Sequence, residues 1–152
     1  MGLKFERTGG FVGDTPVTVD SGRQCEIEHV FKGDRALGRV EATGADEYGR
    51  VTSRLERICE TCYISFVQGD AEREFPIETA LDQEFRVSKR GWVRAIDIVA
   101  DDQIETRTGS HIMVESVESS RDVAVVFALD IEDVESCFVG RRELWARSGG
   151  RR

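Results

Sequence analysis

The sequence is poor in several residue types that carry chemistry in other proteins. Its 152 residues include four cysteines, two histidines and two prolines, and no asparagine. Chemistry that needs an asparagine side chain is therefore excluded, and a histidine-based site would have to draw on two histidines that are far apart in sequence. Four cysteines form no dense disulfide framework, and a chain of this length buries a core without one. We expect Cys25, Cys59, Cys62 and Cys137 to be core thiols.

Acidic residues outnumber basic ones, 29 to 21, and long apolar runs are scarce. The formal net charge is -8 at pH 7, and a field of that sign repels phosphate backbones and anionic lipids. We therefore expect no nucleic-acid partner. The longest apolar stretches, such as residues 123–129, are far shorter than the roughly 20 residues that cross a bilayer. Because no signal peptide opens the chain, these features predict a single soluble, cytoplasmic domain with no membrane association.

Strand-forming sequence occupies most of the chain. β-Branched and aromatic residues are concentrated at residues 17–19, 62–67, 74–78, 85–87, 112–117, 123–131 and 137–139. Turn-forming residues bound most of these segments, so the pattern predicts an all-β fold. Residues 62–67 and 74–78 are expected to form a hairpin. Only residues 25–32 and 93–100 are typical of one or two helical turns.

Those two helical pieces belong to an internal repeat. When residues 17–36 are set against 85–104, a constant shift of 68 positions, apolar residues fall on apolar residues and turns fall on turns. Each copy is predicted as a strand, a turn, a short helical turn, an acidic turn and the next strand. Two copies are too few for a solenoid, so we expect one globule with a pseudo-twofold axis.

Four blocks of the sequence, taken in order, resemble the Hint (Hedgehog/intein) superfamily. Residues 11–17 (FVGDTPV) look like its opening block, which follows a nucleophilic cysteine, and residues 27–37 (IEHVFKGDRAL) are similar to its next stretch. Residues 82–95 resemble the segment that carries a Thr-x-x-His, and residues 126–140 resemble the last hairpin before a terminal His-Asn. The resemblance spans residues 10–148 and implies a horseshoe of curved antiparallel strands with pseudo-twofold symmetry.

The resemblance also implies where self-processing chemistry would take place, and each position holds an unsuitable residue. The attacking cysteine or serine would be at Gly10, which has no side chain. The family's histidine would be Gln83, which donates hydrogen bonds but cannot shuttle a proton, and its threonine would be Ala80. The terminal His-Asn corresponds to Arg147 and Ser148, and a chain without asparagine cannot cyclise one. We expect these positions to be catalytically inactive.

Other patterns could carry chemistry. Residues 59–62 (CETC) have the spacing of half a zinc site, but no second pair follows. In an extended strand the two sulfurs would lie on opposite faces, about 10 Å apart, unless a bulge or turn brings them together. Residues 108–111 (TGSH) contain Thr-x-x-His but lie at a turn beyond the second repeat, so we interpret them as coincidence. His29 is expected to be a solvated or capping residue.

The sequence thus predicts a degenerate Hint-like domain at residues 10–148, with a flexible segment at 1–9 and a tail at 149–152. We expect a structural or protein-binding module, a pseudoenzyme without self-cleavage or splicing, that uses no cofactor or metal. Its partners would be flanking or separate protein segments. Two alternatives are an autoprocessing domain inactivated at its nucleophile and an unrelated β binding or assembly domain. The sequence leaves the oligomeric state open.

Overall fold

The computed structural model describes residues 7–68 and 74–151, which form mostly antiparallel strands. In chain order the strands are β1 (Arg7–Thr8), β2 (Phe11–Val12), β3 (Pro16–Thr18), β4 (Gln24–Glu26), β5 (Arg35–Val40), β6 (Ala45–Phe66), β7 (Ile77–Ala80), β8 (Glu84–Val87), β9 (Gly91–Arg94), β10 (Gln103–Glu105), β11 (His111–Ile131), β12 (Ser136–Val139), β13 (Leu144–Arg147) and β14 (Gly150–Arg151). Short 3-10 turns occupy Asp20–Gly22, Ile27–His29 and Ala95–Asp97. The all-β prediction is confirmed, and the last two turns lie inside the predicted helical pieces.

Two long strands, β6 and β11, are the spine of the fold. They pair antiparallel from Phe66 opposite Val114 to Val51 opposite Ile131. β5 extends one end of this ribbon by pairing with β6, and β10 extends the other by pairing with β11. β2 and β7 pair with each other; β2 also pairs with Val126 and Phe127 of β11, and β7 with residues 61–64 of β6. The remaining strands join the same sheet, except β1 and β14, which form a separate two-stranded sheet.

The extent of the long strands was not predicted. The first half of β6 contains many charged residues, and it was not recognised because both of its faces are largely exposed. β11 was predicted as two strands, since its middle contains turn-forming residues. The structure accommodates them as a bulge, with a register shift between Ser119 and Val123 and a positive φ of 58° at Arg121.

The internal repeat is confirmed at the level of individual backbone bonds. The N–H of Ile27 donates to the Thr15 carbonyl (2.8 Å), and 68 positions later the N–H of Ala95 donates to the Gln83 carbonyl (2.7 Å). The β3–β4 register, with Val17 opposite Cys25, reappears in β8–β9 at the same shift. The two halves are thus related by a pseudo-twofold axis.

The core lies between the two halves and draws on both. Phe11 from β2 meets Phe85 from β8 edge to face, with ring centroids 5.9 Å apart. Both side chains are almost fully buried, and burying a side chain of this kind stabilises a fold by about 1.5–3 kcal/mol. This packing places the start of β2 directly beside the turn that precedes β8.

The ends of the described chain lie side by side. β1 pairs antiparallel with β14, with Thr8 opposite Gly150. The predicted hairpin forms between β6 and β7, with Ile64 opposite Ile77, and its tip at residues 69–73 lies outside the described residues, as do residues 1–6 and 152. Within the described ranges there is no helix of membrane-spanning length and hydrophobicity.

Candidate functional site

The candidate site is built around Gly10, immediately before β2. Its N–H donates to Oε1 of Gln83 (2.7 Å), and its carbonyl accepts from the hydroxyl of Thr79 (2.6 Å) and the N–H of Ala80 (3.0 Å). β7 supplies both donors because it lies beside β2 with Phe11 opposite Thr79. The Gly10–Phe11 peptide is therefore held by β7, and Gln83, in the turn before β8, holds the Gly9–Gly10 peptide.

Gln83 connects this peptide to the last strands of the domain. Its side chain is 2% exposed, and Nε2 donates to the carbonyl of Arg147 (2.8 Å) and to that of Glu84 (2.9 Å). The amide thus accepts a hydrogen bond from the N-terminal segment of the domain and donates one to its C-terminal strand. Because every polar atom of this buried amide is partnered, its orientation is determined by the network.

Charged groups enclose the network. Oδ1 of Asp82 accepts the N–H of Gly9 (3.0 Å) and also pairs with the guanidinium of Arg57. Arg147 pairs with Glu84 (Nε–Oε1 3.1 Å) and stacks over the ring of Trp92, with 4.5 Å to the ring centroid. These ion pairs hold the charged groups at the edge of the site. The hydrogen-bond donors and acceptors around the Gln83 amide are neutral.

The site has little room for a side chain at residue 10. Gly10 has a φ of 125°, and a Cβ there would lie 2.8 Å from Cγ2 of Val126. A Cβ on Gly9 would lie 2.6 Å from Oε1 of Gln83. Both distances are shorter than carbon–carbon or carbon–oxygen contact allows, so the site is packed closed around two glycines.

The structure brings most of the sequence-predicted positions together. Gly10, Ala80, Gln83 and Arg147 belong to one hydrogen-bonded network, and the buried Ser148 follows directly, with its N–H bound to the carbonyl of Glu135 (3.0 Å). Sequence analysis did not find Thr79 or Asp82. Each directly precedes a predicted position in the sequence, and that adjacency was the only sign by which they could have been found.

The cysteines are poor nucleophiles. All four are free, and burial raises the pKa of Cys137 to about 12 and that of Cys62 to about 11, with Glu78 and Glu60 adding to the second shift. Burial, with a smaller contribution from Asp82, raises the pKa of Cys59, while Arg57 opposes the shift. These thiols are held protonated at neutral pH, and a thiol attacks as the thiolate.

The other candidate residues are spread over different parts of the fold. Cys59 and Cys62 occupy the same strand, one half-buried and one buried. His29 is solvated as expected, with its side chain 61% exposed and Nδ1 3.4 Å from Glu26. Within the described ranges, Glu26, Glu28 and His29 form the one group of three side chains close enough to share a metal ion, and all are exposed. His111 contacts Gln103 in the β10–β11 hairpin.

Solved structures identify the class of protein. The intein-like domain from Clostridium thermocellum superposes with a TM-score of 0.78 at 22% identity, covering 91% of this chain and 97% of that one. The DnaB intein from Synechocystis sp. PCC 6803 gives 0.76 at 15% identity (93% and 99%), and the DnaX mini intein from Spirulina platensis gives 0.71 at 22% (92% and 99%). The chain has the Hint fold.

The family follows from the sequence itself. The family model described as the pretoxin Hint domain matches residues 17–147, and this chain belongs to that family. No curated protein matches the chain in sequence. Membership overturns the alternative of an unrelated β binding or assembly domain.

Proposed function

We propose that this chain is a non-processing Hint domain, which holds the segments on its two sides together without cleaving either of them. The observation that carries the proposal is the Gln83 bridge. Its amide binds the Gly10 N–H and the Arg147 carbonyl at once, whereas self-processing would need a nucleophile at residue 10 and a proton shuttle at residue 83. Ala80 and Ser148 are part of the same proposal as inactive counterparts of the family's chemistry.

The geometry supports holding as well as inactivity. β1 and β14 pair directly outside the bridge, so the segment entering the domain and the segment leaving it run antiparallel. Main-chain pairing of this kind needs no particular side chains. We infer that the domain is one part of a larger protein, as the name pretoxin Hint domain implies, and that its partners are its own flanking segments.

Four unpaired cysteines are consistent with a reducing compartment. On this ground we place the domain in the cytoplasm as part of the proposal.

Amide hydrogen exchange of the full chain tests the bridge. The change Gln83→Leu removes the acceptor of the Gly10 N–H, so we expect its protection to fall about tenfold or more, because an orphaned buried group costs about 1–3 kcal/mol. Core amides such as that of Val17 should remain as protected relative to one another as in the unaltered chain. The matched control is Gln103→Leu on the exposed face of β10, which should leave Gly10 unchanged. Undiminished protection of Gly10 in the Gln83 variant would refute the bridge.

The alternative is an autoprocessing domain that lost only its nucleophile. It predicts that Gly10→Cys together with Gln83→His restores thiol-dependent cleavage before residue 10. Our proposal predicts no cleavage, because a Cβ at residue 10 meets Val126 and the φ of 125° disfavours any side chain. Mass spectrometry of the double variant, carrying reporter domains at both ends, decides between them.

A further inference from the structure

One face of the β6–β11 ribbon is apolar and exposed at its middle. Ile58 of β6 lies directly opposite Val125 of β11, and Val123 lies opposite Glu60. Residues paired in this way point to the same face of an antiparallel sheet, with their Cβ atoms about 4.5–5.5 Å apart. Ile58, Val123 and Val125 are therefore neighbours, and they are 72%, 61% and 44% exposed. We call these three side chains the ribbon patch.

The same face is covered up to the position next to the ribbon patch. The ring of Phe127 lies under the guanidinium of Arg54, 5.2 Å from the ring centroid, and that guanidinium also stacks on Phe31 at 4.7 Å. Two residues before Phe127 the cover ends, because Val125 and its partner on β6 are exposed. Contiguous exposed apolar side chains, unlike single ones, are typical of an interaction surface.

Carboxylates border the ribbon patch. Glu56 and Glu60 lie two residues before and after the isoleucine of the patch, so they point to the same face at a spacing of about 6.8 Å. Oδ1 of Asp122 accepts the N–H of Val123 (2.8 Å), which places a third carboxylate at one end of the patch. Arg54 pairs with Glu56 (Nη2–Oε1 3.6 Å), whereas Glu60 and Asp122 have no basic partner in the described part of the chain.

Basic residues near the patch do not cancel these charges. Arg57 points to the opposite face of β6, where it pairs with Asp82, and Arg121 belongs to the bulge in β11. The middle of the ribbon thus combines an apolar centre with a negative border. A positively charged partner would be attracted to it, and an acidic one repelled.

Charge and size together indicate the kind of partner. A second copy of the chain would bring two acidic borders together, and each copy carries a net charge of -8. Three side chains also bury much less than the roughly 1,200 Å² of a stable protein–protein interface. A short basic segment satisfies both conditions.

We propose that the ribbon patch binds a short extended segment of a partner protein, in which one β-branched residue is flanked two positions away on each side by arginine or lysine. In an extended segment, residues at i, i+2 and i+4 point to one side with the same spacing as Glu56, Ile58 and Glu60. The two basic side chains would meet the two carboxylates. The apolar side chain between them would contact Ile58 and Val125.

The test is a titration of the full chain with the blocked peptide Arg-Thr-Val-Thr-Arg, followed through backbone amide NMR shifts. We expect saturable shifts at residues 56–60 and 122–126, with millimolar affinity that falls at least about threefold at high salt. Arg-Thr-Ser-Thr-Arg should bind at least about fivefold more weakly, and Glu-Thr-Val-Thr-Glu should not bind. Equal binding of the acidic peptide, or no saturable shift at these residues, would overturn the proposal.

Variants of the chain locate the binding site. Ile58→Thr keeps a β-branched side chain with less apolar surface and should weaken binding about fivefold. Glu60→Gln should weaken it about threefold and reduce its salt dependence. The matched control is Val99→Thr at an exposed valine next to Asp101, whose N–H binds the Val114 carbonyl (2.9 Å), and it should bind as the unaltered chain does.

Binding that survives Ile58→Thr unchanged would refute the ribbon patch as the site. Sedimentation velocity of the unaltered chain distinguishes the other occupant, a second copy. We expect a monomer, because the acidic borders repel each other. A dimer that Ile58→Thr dissociates would assign the patch to self-association and contradict the proposal.

Discussion

At residue scale, two positions determine what the candidate site can do. Gly10 offers no atom that could attack a peptide bond, and Gln83 offers an amide that holds both neighbouring segments without titrating. The positions were predicted from the order of sequence blocks. The contact between Gly10 and Val126 could not be predicted, because it depends on the register of β2 beside β11.

The close packing at Gly10 predicts a larger loss of stability than positive φ alone. Gly10→Ala should lower the free energy of unfolding by about 2–4 kcal/mol, since it adds overpacking to backbone strain. Gly44 has a φ of 74° with nothing near its Cβ position, so Gly44→Ala should lose only about 1 kcal/mol. Urea unfolding of both variants measures the difference. Equal losses would show that the space around Gly10 is not closed.

The buried thiols predict a pH dependence of stability. Because the pKa values of Cys62 and Cys137 are raised in the folded chain, to about 11 and about 12, their stabilisation is complete below the unfolded thiol pKa and is lost as pH rises toward these values. Each thiol should contribute a loss of about 1.4 kcal/mol per pH unit between roughly pH 9 and pH 11.

Unfolding by urea at several alkaline pH values checks this dependence. Cys137→Ala should make the fall of the unfolding free energy with pH shallower. Cys25→Ala, at a half-exposed position, should leave most of that fall unchanged. An identical slope in the unaltered chain and the Cys137 variant would contradict the assignment of the decline to that thiol.

At the scale of elements, the irregular point is the bulge in β11. Arg121 has a φ of 58°, a conformation that favours glycine, and its N–H is held by the hydroxyl of Ser119 (3.1 Å). The sequence pattern predicts one strand that ends at residue 117 and another that begins at 123, whereas residues 119–122 occupy a bulge because β6 continues alongside. Local sequence cannot distinguish a turn from a bulge, since the choice depends on the pairing partner.

The bulge supplies a stabilising substitution. Arg121→Gly should raise the free energy of unfolding by about 0.5–1 kcal/mol, because glycine adopts positive φ without steric cost. Arg23, with a φ of -72°, is the matched control, and Arg23→Gly should lower stability by a similar amount. Thermal unfolding of the two variants should shift in opposite directions, and a fall in stability for both would contradict the strain at Arg121.

At the scale of the whole molecule, the duplicated architecture was predicted from apolar and turn positions alone. It could be predicted because equivalent positions in the two halves hold residues of the same class, such as Val17 and Phe85. The length of β6 and β11 could not be predicted, since much of each strand is exposed and shows little alternation of apolar and polar residues.

The central claim is a Hint domain that keeps its flanking segments joined and uncleaved. Its most direct test is the intact mass of the full chain, fused to a reporter domain at each end, during prolonged incubation with dithiothreitol or hydroxylamine. The account predicts a single species of unchanged mass, because residue 10 cannot form the thioester or ester that these reagents would cleave. Fragments that begin at Gly10 or end at Arg147 would contradict it.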